Sequence, residues 1–220
     1  MTVAALLLTA GTLWLLSTTV APSWAWALPV AVLAVCFGAT ALLAGRGLLR
    51  EKPALGITAA LCVLLVLAAG LSFLGMALTG AAVITRDVRY YERALRYGGV
   101  NVERFPPEVP EGAEDVRFSY WSGFLQGGSQ LTLEFRTSEE ALAECEGRFG
   151  RTAEWSGPAN AREVQRYGVM SGSLPEDVLD GRLYVFQAEP HRPGDWNHGE
   201  NSFAVVDGAE GRVLFQAGDW

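Results

Sequence analysis

Lysine, cysteine, histidine and, over long stretches, charge of either sign are scarce in this sequence. Lys52 is its one lysine among 220 residues, beside three cysteines and two histidines. Residues 1–45 carry no charge, and 53–85 carry none either. Each absence excludes something. No CxxC, HExxH, P-loop, GxSxG or helix-opening GxGxxG is present, so no motif calls for a metal, a nucleotide or any other cofactor. Cys145 stands alone in the polar half, which therefore closes no internal disulfide and must fold by core burial. The apolar runs hold no Asp, Glu, Lys, Arg or His, the groups on which ion pathways and proton relays depend. They read as an anchor or assembly platform rather than a transporter.

The charge that does exist is divided unevenly. Residues 1–80 carry only Arg46, Arg50, Glu51 and Lys52. Beyond them lie 14 arginines and 23 acidic residues, a net −9. Such a surface repels nucleic acid, whose phosphates need basic partners. The Arg-, Ala- and Gly-rich usage matches a GC-rich bacterial coding bias.

A hydrocarbon core of about 30 Å takes about 20 apolar residues per helix. A single helix over the first 45 residues would reach roughly 65 Å, so the stretch must turn back. Pro22 in "APSW" (21–24) is the natural break, with Trp24 and Trp26 where an interfacial belt would place them. Three transmembrane helices are expected, at about 3–20, 25–44 and 54–78. "AWA" (25–27) has the look of a signal-peptidase site, but no Lys or Arg precedes the apolar run and two further runs follow. Gly38, Ala39, Ala41 and Ala44 in the second run, and Ala59, Ala60, Ala68, Ala69, Gly70 and Gly75 in the third, would let helices approach closely. The lipid bilayer is the first partner; an envelope protein or a second copy of the chain could dock on those faces.

Orientation follows from "GRGLLREK" (45–52). Its basic residues sit in the short loop between the second and third runs, and basic short loops stay cytoplasmic. The expectation is a multi-pass cell-membrane protein with a cytoplasmic N-terminus and an extracytoplasmic domain after residue 80. Arg86, Arg89, Arg93 and Arg96 argue the other way, but long domains translocate largely regardless of charge. Spaced 3, 4 and 3 apart, these arginines would line one stripe of a juxtamembrane helix over 81–99, beside Val88, Tyr91 and Leu95, with Gly98 and Gly99 as its stop. The stripe reads equally as a lipid-headgroup contact and as the solvated face of a helix packed on its own domain.

Residues 100–220 read as an α+β domain with an antiparallel sheet. "VRFSYW" and "QLTLEFR" alternate with period two, and "RLYVFQAE", "SFAVVDG" and "GRVLFQAG" are three further strands. "TSEEALAECEGRFG" is a helix capped by Thr137 or Ser138 and stopped by Gly150; Leu142, Cys145 and Phe149 share its inner face. Cys145 is thus a core residue rather than a nucleophile. "AREVQRYGVM" is ambiguous between helix and strand, and "LPEDVLDG" suggests one helical turn. Trp121 and Phe124, near a hairpin tip, could grip a ligand. The loop 188–203 collects His191, His198, Glu189, Asp195 and Glu200, which could ligate a metal or move protons, but lacks a spacing that fixes geometry.

Two blocks carry a resemblance: "FPPEVPEGAEDVRFSYWSGFLQGGSQLTLEF" (105–135) and "NHGENSFAVVDGAEGRVLFQAGDW" (197–220). They are similar to uncharacterised bacterial membrane-anchored proteins and lipoproteins that share an FP..IP..A…FLQGG block and a terminal NHGE…W block. Those proteins carry a lipidated cysteine where this chain has apolar runs. The resemblance implies export, and it singles out Gln126, Gly127, Gly128, His198 and Glu200 as site positions. The expected function is an acidic extracytoplasmic domain for binding or assembly in the cell envelope, with no enzymatic chemistry implied. The alternatives are an envelope hydrolase or metal-dependent enzyme using His198 and Glu200, and a sensor domain facing the cytoplasm.

Overall fold

The computed structural model describes residues 2–22, 24–80, 84–123, 128–160, 181–188 and 199–219. The chain divides into two compact units, Met1–Ala81 and Ala82–Trp220.

The first unit is helical. α1 spans Thr2–Ser17, α2 Leu28–Gly45 and α3 Glu51–Gly80, with a 3-10 turn at Trp24–Ala27 before α2. Pro29 falls in the first turn of α2, where a missing N–H costs no helical bond. α2 and α3 are long and apolar enough to cross a membrane. α1, expected at about 3–20, is not: its 16 residues reach about 24 Å. The cause is local. The hydroxyls of Ser17, Thr18 and Thr19 donate to the Trp14, Leu15 and Leu16 carbonyls at 2.6, 2.8 and 2.9 Å, which ends the helix early.

Val30, Ala34 and Phe37 of α2 form a buried cluster with Leu65 of α3, with Leu33, Leu61 and Cys62 packed against it. Outside this seam the helices remain apolar all round; Leu55, Val63, Val66, Leu71 and Phe73 are exposed. A water-facing helix would be polar there. The small residues expected at the seam are not what fills it. A Cβ added at Gly38 or Gly70 would meet nothing within 4 Å.

The second unit is built on a seven-stranded, wholly antiparallel sheet. Its strands are β1 Ile84–Thr85, β2 Glu114–Trp121, β3 Gln130–Arg136, β4 Trp155–Pro158, β5 Arg182–Ala188, β6 Glu200–Asp207 and β7 Arg212–Asp219, in the spatial order β1-β2-β3-β7-β6-β5-β4. Five of these were expected. The added ones, β1 and β4, are short edge strands. β2 bends at a bulge between Glu114 and Arg117, where Asp115 takes a positive φ of 50°. β6 and β7 are joined by a turn in which the Asp207 carboxylate accepts from the Ala209 and Glu210 N–H groups at 3.0 and 3.2 Å.

Helix α5, Glu139–Thr152, covers one face of the sheet. Ser138 caps it by accepting from Ala141 N at 3.3 Å. It runs past Gly150, because Gly within an otherwise sound helix costs only about 1 kcal/mol. Phe149 is the centre of the core, 5.4–5.5 Å from the rings of Tyr184, Phe186 and Phe215; Phe215 in turn meets Phe105 and Phe135. Cys145 is half-buried on the same helix, and burial pushes its thiol pKa up.

Alternation along the strands sends the neighbouring residues to the other face. There Leu183, Val185, Phe203, Val205 and Leu214 cluster with Ala159. Beside them is a buried ionic group. Arg212 lies 3.3 Å from the Glu134 carboxylate and 3.8 Å from that of Asp207, and Arg117 reaches Glu134 from its exposed side at 3.8 Å.

The juxtamembrane helix expected over 81–99 is replaced by three shorter pieces. Ile84–Thr85 pairs with β2, and Asp87 then caps a 3-10 turn, Val88–Tyr90, by accepting from Arg89 N at 3.1 Å. Only Tyr91–Tyr97 forms an α-helix, α4. Arg86 and Arg89 therefore lie off α4, and only Arg93 and Arg96 keep the helical spacing. The apolar line beside the arginines is altered too: Tyr91 and Ala94 are buried, whereas Val88 is exposed. Tyr91 donates its hydroxyl to the Pro106 carbonyl at 2.6 Å and meets the Phe118 ring edge-on.

Candidate functional site

Strand register brings the two flagged sequence blocks to one end of the sheet. Trp121 pairs with Gln130, Gln130 with Gly218, Gly218 with Asn201, and Asn201 with Ala188. Glu200, the first residue of β6, pairs with Asp219 of β7. Asp219 also secures the β2–β3 connection: its carboxylate accepts from Ser129 N, and its own N–H donates to the Ser129 carbonyl at 3.0 Å. Gly128 directly precedes this anchor. Phe124, Gln126, Gly127, His191 and His198 lie outside the described residues, as do "AREVQRYGVM" (161–170) and all of "LPEDVLDG" (174–181) except Gly181. Trp121 is 44% exposed at the end of β2.

At the same end of the sheet a cavity of about 350 Å³ opens beside β5 and β6. Asn101, Glu103 and Arg104 form one wall; Phe186, Gln187 and Ala188 of β5, Ser202 of β6 and Glu154 before β4 form the rest. Proline-rich sequence after residue 104 keeps this first wall from entering a helix or strand. Two features mark the cavity. First, a directed chain of hydrogen bonds runs along it. Gln187 Nε2 donates to Glu200 Oε2 at 2.8 Å, Asn101 Nδ2 donates to Gln187 Oε1, and Asn101 Oδ1 accepts from Glu103 N at 3.3 Å. An ionised carboxylate only accepts, so Glu200 fixes the orientation of both amides. Second, Ser202 is 1% exposed and, among the described residues, its hydroxyl has no hydrogen-bond partner. A buried polar atom left unpaired costs free energy that a ligand can recover.

Glu200 is therefore a site residue of a particular kind. It holds Gln187 in place and reaches the cavity through it. Asn101, Glu103, Arg104, Glu154, Gln187 and Ser202 were not singled out by the sequence. Only Ser202 carried a signal: it occupies the inward row that continues through Ala204 and Val206, where an apolar residue is the rule.

The candidate lipid-facing arginines do not converge. Arg86 and Arg96 are exposed, and the Arg93 guanidinium lies 5.5 Å over the Tyr97 ring. Arg89 forks onto Asp87, with its shortest contact at 2.6 Å, and this bond holds the Asp87 carboxyl below its usual range. Among the described residues no three His, Cys, Asp or Glu side chains cluster as metal ligands would.

No family model matches the chain, and neither a curated protein nor a solved structure was found that matches it.

Proposed function

We propose that this chain is a bacterial cell-envelope binding protein, with its helices in the cell membrane and its acidic α+β domain outside the cytoplasm. The single observation that carries the binding role is the cavity. It is built on paired strands, its amides are held in one orientation, and it contains a buried hydroxyl that has no partner among the described residues. Preorganised polar groups around a concave site are what a small-molecule site requires. Glu200 spends an oxygen on Gln187, which suits positioning better than proton transfer.

The placement is supported by Arg46, Arg50 and Lys52 at the entry of α3. If that loop is cytoplasmic, α3 leads out, and the domain is outside whether or not α1 spans. We extend the proposal to α1 as a third, shorter span, met by local thinning of the bilayer. The resemblance of the two sequence blocks to exported lipoproteins is in keeping with this side. Reporter fusions after residue 220 test it: alkaline phosphatase is expected to be active there and a fluorescent protein dark, and the reverse pattern would overturn the placement.

A further inference from the structure

We infer that the sheet face turned away from α5 binds a neutral glycan chain, by stacking a pyranose ring on Trp121. Strand register builds this surface. Trp121 stands beside Gln130; two residues along the same strands, Ser119 stands beside Thr132, and Thr132 beside Gln216. Paired residues of an antiparallel sheet share a face, so these five side chains lie on one side. Among the described residues of the second unit, Trp121 is the most exposed large apolar side chain. Gln130, Ser119 and Thr132 are half-buried. Gln216 ends the row at 2% exposure, and among the described residues its Oε1 has no hydrogen-bond partner. The surface is separate from the cavity. Ser202 pairs with Ala217, the neighbour of Gln216 along β7, so the two sites lie on opposite faces and this inference does not rest on the cavity.

The chemistry of this set selects its occupant. A sugar hydroxyl both donates and accepts, and so does each hydroxyl and carboxamide of the row. The indole offers a broad apolar plane on which the C–H face of a pyranose ring lies flat. With strands about 4.8 Å apart, the row from Ser119 to Gln216 is about 10 Å wide, the reach of two linked rings. A face that enters lipid would surround its indole with aliphatic groups, where this one has hydroxyls and amides. An extended peptide adds to an open strand edge, and β3 and β7 are paired on both sides. The net −9 beyond residue 80 disfavours an acidic polysaccharide. A free monosaccharide is held in a concave pocket, whereas an open sheet face suits a chain that passes across it.

The test is isothermal titration calorimetry on the full chain, in micelles of a polyoxyethylene detergent that carries no sugar. The probes are cellotriose, tri-N-acetylchitotriose, glucose and sorbitol. Saturable binding is expected for one or both trisaccharides and much weaker binding for glucose. Sorbitol has the hydroxyls without the ring and is expected to give no heat. Trp121→Ala and Trp121→Leu are each expected to weaken trisaccharide binding about tenfold or more, and Trp121→Tyr to keep most of it. Thr132→Val keeps the branched shape and should weaken binding roughly threefold to tenfold with the unfolding temperature unchanged. Trisaccharide binding that is as tight in Trp121→Leu as in the parent would overturn the stacking, and glucose binding as tight as a trisaccharide would overturn the chain. Binding lost in Ser202→Ala and unchanged in Trp121→Ala would put the sugar in the cavity, overturning this inference while supporting the cavity as a site. Silence from both trisaccharides overturns it outright.

Discussion

Gln187 stands between Glu200 and Asn101, donating to the first and accepting from the second, so one neutral side chain joins β5, β6 and the loop before Phe105. Its substitution tests how far the site is preorganised. Gln187→Leu leaves both neighbours short of a partner and is expected to cost about 1–3 kcal/mol. Gln187→Glu sets a second carboxylate against Glu200 and should be worse at neutral pH than in mild acid. Urea unfolding of the full chain in micelles, followed by tryptophan fluorescence, measures both.

The buried ionic group gives a sharper contrast. Arg212, Glu134 and Asp207 are all nearly inaccessible, so removing one partner strands a charge. Arg212→Met alone should cost about 3 kcal/mol or more. Combining it with Glu134→Leu and Asp207→Leu should cost less than the three single changes added together, because no charge is then stranded. Strict additivity in denaturant titrations would show that the three residues act independently.

Tyr91 predicts an alkaline limit. Burial pushes its phenol pKa well above the ordinary value of 10.0. The folded protein therefore holds that proton when the unfolded chain gives it up. This stabilising contribution is complete below about pH 10, and as pH rises further the stability of the domain falls. Tyr91→Phe should lose about 1 kcal/mol at neutral pH, from the bond to Pro106, and show a shallower decline in base. Unfolding temperature measured against pH for both proteins gives the comparison; parallel curves would count against the account.

Phe149 is the most deeply buried side chain of α5 and meets the sheet through Tyr184, Phe186 and Phe215. Phe149→Ala should cost about 3–5 kcal/mol, and Phe149→Leu distinctly less, since the volume lost is smaller. Hydrogen exchange should show α5 losing protection first, ahead of β3, β6 and β7.

The core strands and α5 were legible because their apolar residues recur at fixed periods. Leu131, Leu133 and Phe135 alternate, and Leu142 and Phe149 lie two turns apart on one helix face; all five are buried. β1 was not legible, since two residues have no period, and it falls in a segment whose 3-and-4 spacing mimicked a helix. There Asp87 prevailed by offering its side chain to the backbone. α1 is shorter than its uncharged run suggests because the hydroxyls of Ser17, Thr18 and Thr19 take carbonyls at its end. The cavity was hidden for a different reason. Asn101, Glu154 and Ser202 are remote in sequence. The register of β5 on β6 brings in Ser202, the Glu154 N–H donates to the Val185 carbonyl, and Asn101 bonds Gln187. Glu134 and Arg212 likewise sit where alternation alone would have put solvent.

One consequence follows from β7 lying between β3 and β6. β7, made after the other six described strands, is the middle board of this floor. Until it arrives, the strands made earlier form two separate groups with bare edges facing each other, and the chain must be protected from false partners meanwhile. Strand-by-strand completion of the sheet is closed to this domain; it locks only once β7 is available.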